Sequence, residues 1–150
     1  MSGKRVFKHL SGVLTTAGTT YTSLNPPSGY LYSIISATVS LTTGTGTGSR
    51  YADIQGMIMA DETGAVGQNT NIAYTGTQTT TSTNYEALST FYNNSNPSGG
   101  SSYVFRGPVI IWPTISASTH QVGLVFAAEL VSGDSAAYDL LVEVIPYAEG

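Results

Sequence analysis

The 150-residue chain contains no cysteine, two histidines (His9 and His120) and only 9% charged residues. Without cysteine it has neither disulfides nor thiolate metal sites to hold it together. Enzymatic sites gather His, Cys, Asp, Glu or Lys because those groups can be tuned in protonation or ligation. No stretch of this chain concentrates them, so the expectation is a protein that is not an enzyme and carries no cofactor or metal. Five Lys and Arg stand against nine Asp and Glu, giving a net charge of −4 and a pI near 4.8. Phosphate recognition draws on clustered basic residues, so a nucleic-acid partner is not expected. Long apolar runs are missing too. The first candidate, from Val6, is interrupted by Lys8, His9, Ser11 and Gly12. Neither a signal peptide nor a membrane span is therefore expected, and the chain is read as made and folded in the cytosol.

What remains is apolar enough to fold. Hydrophobic residues make up 41% of the chain and the mean hydropathy is +0.05, too high for a wholly disordered segment. The length suits one domain spanning 1–150. Short runs of period-two hydrophobicity recur throughout. In residues 30–41, Leu31, Ile35, Ala37, Val39 and Leu41 share one face, opposite Tyr32, Ser36, Thr38 and Ser40. In residues 51–60, Ile54 and Ile58 alternate with Asp53, Gln55, Met57 and Met59. Residues 122–147 read as a hairpin broken at Ser132-Gly133-Asp134, with Leu124, Phe126 and Ala128 on one face of its first arm. Tyr138, Leu140, Val142 and Val144 share a face of the second arm. The Val109 to Trp112 run, with Pro108 and Pro113 beside it, reads as a strand buried on both faces. Weaker strand signals lie at 6–15, 19–24, 71–74 and 86–92, and only 85–91 hints at helix.

This pattern predicts an all-β fold: an antiparallel β-sandwich, jelly-roll-like, of about eight strands joined by long Thr/Gly/Ser loops. The loops at 42–50, 61–70, 75–84 and 93–102 are long for a compact domain. They read either as mobile surface or as segments that order against a neighbour. Gly44-Thr45-Gly46-Thr47-Gly48 lacks the lysine and helix of a phosphate loop and reads as a flexible hairpin. Asp61-Glu62 and Asp134 with Asp139 lack the repeated spacing of a calcium loop. Ten tyrosines fit core packing, protein interfaces or sugar stacking.

The candidate partner contacts lie at the N-terminus. Lys4, Arg5 and Lys8 hold most of the positive charge. Two uses fit them: a solvated tail, or a basic arm of about residues 1–10. As an arm, residues 2–10 would leave the sandwich, with Phe7 as apolar anchor and the basic residues meeting a partner's carboxylates.

The succession SGVLTTAGTTYT, PSGYLYSIISATVSLTTGTGTGSR, GPVIIWPTIS and HQVGLVFAAELVSGDSAAYDLLVEVIPY resembles small virion proteins of tailed bacteriophages and related viruses. Its texture is similar to capsid decoration, or cement, proteins and to single jelly-roll coat proteins. The resemblance implies a repeated structural subunit, a homotrimer on the surface of the virion, made in the host cytoplasm. Its partner would be the major capsid protein, whose icosahedral shell it binds and stabilises. The alternatives are a major or minor jelly-roll capsid protein and a host- or carbohydrate-binding fibre-tip module.

Overall fold

The computed structural model describes residues 3–58, 68–90, 93–95, 109–111 and 124–147. They form β1 (Val6–Leu14), β2 (Gly18–Ser23), β3 (Tyr30–Thr42), β4 (Tyr51–Ile58), β5 (Gln68–Tyr74), β6 (Asn84–Thr90), β7 (Asn93–Ser95), β8 (Val109–Ile111), β9 (Leu124–Leu130) and β10 (Ser135–Pro146). Helix is absent among the described residues, and of the stretch at 85–91 the described residues, 85–90, are extended within β6. One sheet has the order β1-β10-β3-β6-β7, with β8 also on β3, and the second has the order β2-β9-β4-β5. Every named pairing is antiparallel. The two sheets pack face to face as the all-β sandwich that the alternation predicts.

Between them lies a single apolar layer. Ala37, Val39 and Leu41 of β3 and Leu140 and Val142 of β10 meet Ala52 and Ile54 of β4 and Leu124, Phe126 and Ala128 of β9. Phe126 and Tyr138 bridge the sheets with ring centroids 4.7 Å apart. Fully burying a Leu, Ile or Phe contributes about 1.5–3 kcal/mol each, so this layer supplies most of the driving force.

Three departures from simple alternation follow from local geometry. Leu141 pairs with Ser36 whereas Val142 pairs with Ile34, leaving Ile35 as the extra residue of a bulge. One inserted residue reverses the pleat phase. Tyr32 and Ile34 therefore join the core before the bulge, Ala37, Val39 and Leu41 join it after, and Ile35 is only partly buried. Reading Ile35 on the core face is corrected accordingly. A second bulge in β5 sets Ile72 between Asn71 and Ala73, which pair with Gln55 and Ile54.

The hairpin expected over 122–147 is also corrected. β9 bonds β2 and β4 in one sheet while β10 bonds β1 and β3 in the other. Both edges of both strands are taken, so the two cannot pair with each other. The same polar turn, Val131 to Asp134, serves as an arch between sheets. In β8, Ile111 is buried but Ile110 is 47% exposed, so this strand is not buried on both faces. Trp112, His120, Asp61 and Glu62 lie outside the described residues.

Candidate functional site

The basic N-terminal residues do not form an arm that leaves the sandwich. From Val6 onward the backbone is β1, paired in unbroken register with β10 from Val6↔Val144 to Leu14↔Ala136. The physical reason is that β10 needs a partner on its outer edge, and Leu10 and Leu14 add packing against the core. Only Gly3 to Arg5, among the described residues, precede the strand.

Arg5 lies beside Glu143 of the same chain. Its Nε and Nη2 donate to the two carboxylate oxygens at 2.9 and 2.7 Å, and its guanidinium carbon lies 5.3 Å from the Phe7 ring centroid. The forked hydrogen bond raises the Arg5 pKa and holds the Glu143 carboxyl below the usual carboxylate range. His9 Nε2 meets Asp139 Oδ1 at 2.7 Å. Among the described residues no carboxylate pairs with Lys4 or Lys8. Phe7 is 50% exposed and Val13 is 66% exposed. Arg5 is thus committed within the chain, while Lys4, Phe7 and Lys8 remain presented to solvent at one open sheet edge.

A second constellation, centred on Arg50, escapes sequence reading. Arg50 is 0% exposed, and its Nε lies 2.9 Å from Asp134 Oδ2. No acceptor meets Nε–H in line, so the contact is an ion pair with imperfect hydrogen-bond alignment. The other guanidinium nitrogens donate to the carbonyls of Gly46 and Thr80. Asp134 in turn accepts from the Gly44 and Val131 amides at 2.7 and 2.8 Å. The glycine-rich stretch is therefore not a flexible hairpin. It connects strands of different sheets and is fastened to the β9–β10 turn and to residues 79–83. Gly44 is required there, because a Cβ would fall 2.7 Å from the Gly133 carbonyl oxygen.

The third constellation lies on the outer face of the β2-β9-β4-β5 sheet. Register puts Tyr21, Ala127, Asp53 and Tyr74 in one row, with Thr19, Glu129 and Tyr51 in the next. The Tyr51 and Tyr74 rings meet edge-on at 6.2 Å, and Tyr21 is 64% exposed. Asp53 is 2% exposed. Its Oδ2 accepts from Gln55 at 2.6 Å while Oδ1 has no partner among the described residues. Burial pushes its carboxyl up to about 6, opposed by that hydrogen bond. Burial, then the neighbouring Tyr21, Asp53 and Glu129, pushes the Tyr51 phenol up to about 12. A row of small and aromatic side chains beside carboxylates offers stacking surface and hydrogen-bond acceptors, with no nucleophile and base in contact.

Asp134 holds Arg50 and two amides, and Asp139 faces His9. No protein-family model and no curated protein matches this chain.

Proposed function

We propose that the protein is a non-enzymatic virion subunit that decorates and cements an icosahedral capsid, acting as a homotrimer on the major capsid protein. The observation that carries this reading is the strand order. Leaving aside the three-residue β7 and β8, the sheets run β1-β10-β3-β6 and β2-β9-β4-β5. That order has the chain crossing between sheets at β1–β2, β2–β3, β3–β4, β5–β6, β6–β9 and β9–β10. That order supports reading the sandwich as a jelly roll wound from two Greek keys, an architecture of viral capsid and lectin domains. A shell subunit present in many copies needs a rigid sandwich and adhesive edges rather than a reactive site. The clamped loops and the apolar edge strand supply those two needs.

Three linked copies would bind a shell more tightly than one through effective concentration, which couples trimer formation to shell binding. Co-sedimentation with empty shells of the major capsid protein tests the reading. Saturable binding, with shells that then resist heating better, supports it; an absence of binding removes it. Assembly of the isolated chain into shells would instead mark a coat protein. A second reading, a carbohydrate-binding fibre-tip module, draws on the Tyr21–Tyr51–Tyr74 face. Saturable glycan binding lost in Tyr21→Ala would favour it.

A further inference from the structure

Among the described residues β1 is the outermost strand of its sheet, nine residues without proline or bulge. Its pairing to β10 uses one edge only, so alternate backbone N–H and C=O groups on the other edge face outward. Such an edge templates a further strand unless it is short, bulged, covered or heavily charged, and in β1 the charge is limited to Lys8, with His9 paired to Asp139. The opposite flank of the other sheet, β5, carries the bulge at Ile72, and β2 is six residues rich in Thr. β1 is the longer and more apolar of the three, with Val6, Phe7 and Val13 all exposed.

We propose that β1 pairs antiparallel with β1 of a second copy about a two-fold axis at Leu10, joining the two sheets into one. The register follows from symmetry. Outward-pointing backbone groups occur on alternate residues, so the two-fold must pass through a residue and not between two. Placing it at Leu10, the midpoint of β1, pairs all nine residues. Val6 then opposes Leu14, Phe7 opposes Val13, Lys8 opposes Gly12 and His9 opposes Ser11. Apolar residues meet apolar ones, and no two like charges stand directly opposite.

The two faces of the strand fit this arrangement separately. Leu10 and Leu14 pack toward the core, so Phe7, His9, Ser11 and Val13 lie on the outer face of the sheet. There, beside Val13, is a shallow depression of about 310 Å³ lined by Ser11, Val13, Thr38, Ser40, Ala137 and Asp139. The Phe7 ring of the second copy, set opposite Val13, adjoins this depression and has apolar surface to bury in it. On the inner face Gly12, opposite Lys8, leaves room for the lysine stem. The contact is two-fold and goes beyond the shell reading: it would link neighbouring trimers, or two single copies in solution.

The absence of cysteine makes the register directly readable. Phe7→Cys and Val13→Cys chains are prepared separately and mixed, then oxidised or treated with a short bis-maleimide. Directly opposed residues lie about 4.5–5.5 Å apart at Cβ, whereas the two Phe7 positions are about 20 Å apart along the strands. The mixture should cross-link efficiently and each variant alone should not. Val13→Asp, at an exposed position, should keep the wild-type circular dichroism and halve the mass at sedimentation equilibrium, from paired trimers to single trimers or from dimer to monomer. A wild-type chain that sediments as a monomer at every concentration would overturn the proposal. So would cross-linking of Phe7→Cys to itself, a mixture that does not cross-link, or a Val13→Asp chain that associates as tightly as the wild type.

Discussion

The Arg50 guanidinium lies 2.9 Å from the Asp134 carboxylate with both side chains fully buried, one at the entry to β4 and the other just before β10. This contact joins three loops at one end of the sandwich. Removing one member of such a pair leaves the other charge buried without its counter-charge, which costs about 3–5 kcal/mol. Arg50→Met and Asp134→Leu should each lower stability by that amount in urea denaturation. The double variant should be less damaging than the sum of the two. Additive losses would show that the two side chains act independently.

Glycine positions grade by what surrounds them. A Cβ at Gly44 would press on the Gly133 backbone, and one at Gly12 would fall 2.7 Å from the Tyr138 ring, whereas nothing lies within 4 Å of Gly3. Gly44→Ala should cost about 1–3 kcal/mol, as overpacking does against an unyielding neighbour. Gly12→Ala should cost less, since a partly buried ring can shift, and Gly3→Ala should stay within about 0.5 kcal/mol. Denaturation midpoints that fail to follow this order would contradict the placement of the Gly44 loop.

Asp53 makes stability depend on pH in a definite direction. Its folded pKa is raised to about 6 by burial, so between the unfolded value near 4 and that figure the folded state holds the extra proton. The stabilisation is fully present below the unfolded pKa and is lost as pH rises through about 6. A shift of this size corresponds to about 1–3 kcal/mol. Asp53→Asn should remove this contribution to the pH dependence and be the more stable form above pH 7. Glu143, whose pKa is lowered by Arg5, acts oppositely and loses its contribution as pH falls through its folded pKa. Comparing wild type with Asp53→Asn cancels that term. Parallel stability curves from pH 4 to 8 would contradict the burial of Asp53.

Truncation separates the tail from the strand. Deleting residues 1–5 removes the Arg5–Glu143 pair, an exposed contact, and should leave the melting temperature close to that of the full chain. Deleting residues 1–10 also removes Val6 to Leu10 from β1, with the backbone bonds to β10 and the packing of Leu10. It should lower the melting temperature markedly and promote aggregation through the bared edge of β10. Equal melting temperatures for the two truncations would show β1 to be dispensable.

The period-two runs made the sandwich legible, because alternating burial leaves a direct mark at Val39, Leu41, Leu140 and Val142. Its irregularities were not legible. Nothing about Ile35 distinguishes a bulged residue from its neighbours, since the shift exists only relative to β10. A polar turn such as Ser132-Gly133-Asp134 has the same chemistry whether it closes a hairpin or arches between sheets. Nothing local to Arg50 marks it for burial, which depends on Asp134, far away in sequence. Lys4, Arg5, Phe7 and Lys8 were legible as residue types but not as a paired edge, because the strand forms on a partner at the opposite end of the chain.

The most direct test of the account is shell binding itself. Purified protein is sedimented with empty shells of the major capsid protein, in parallel with the Phe7→Ala variant. The account predicts saturable, regularly stoichiometric decoration that is weakened by the Phe7 change and only modestly by salt, since exposed ion pairs contribute about 0–1 kcal/mol each. Protein that stays in the supernatant at every concentration, with the shells no more resistant to heat, would contradict it.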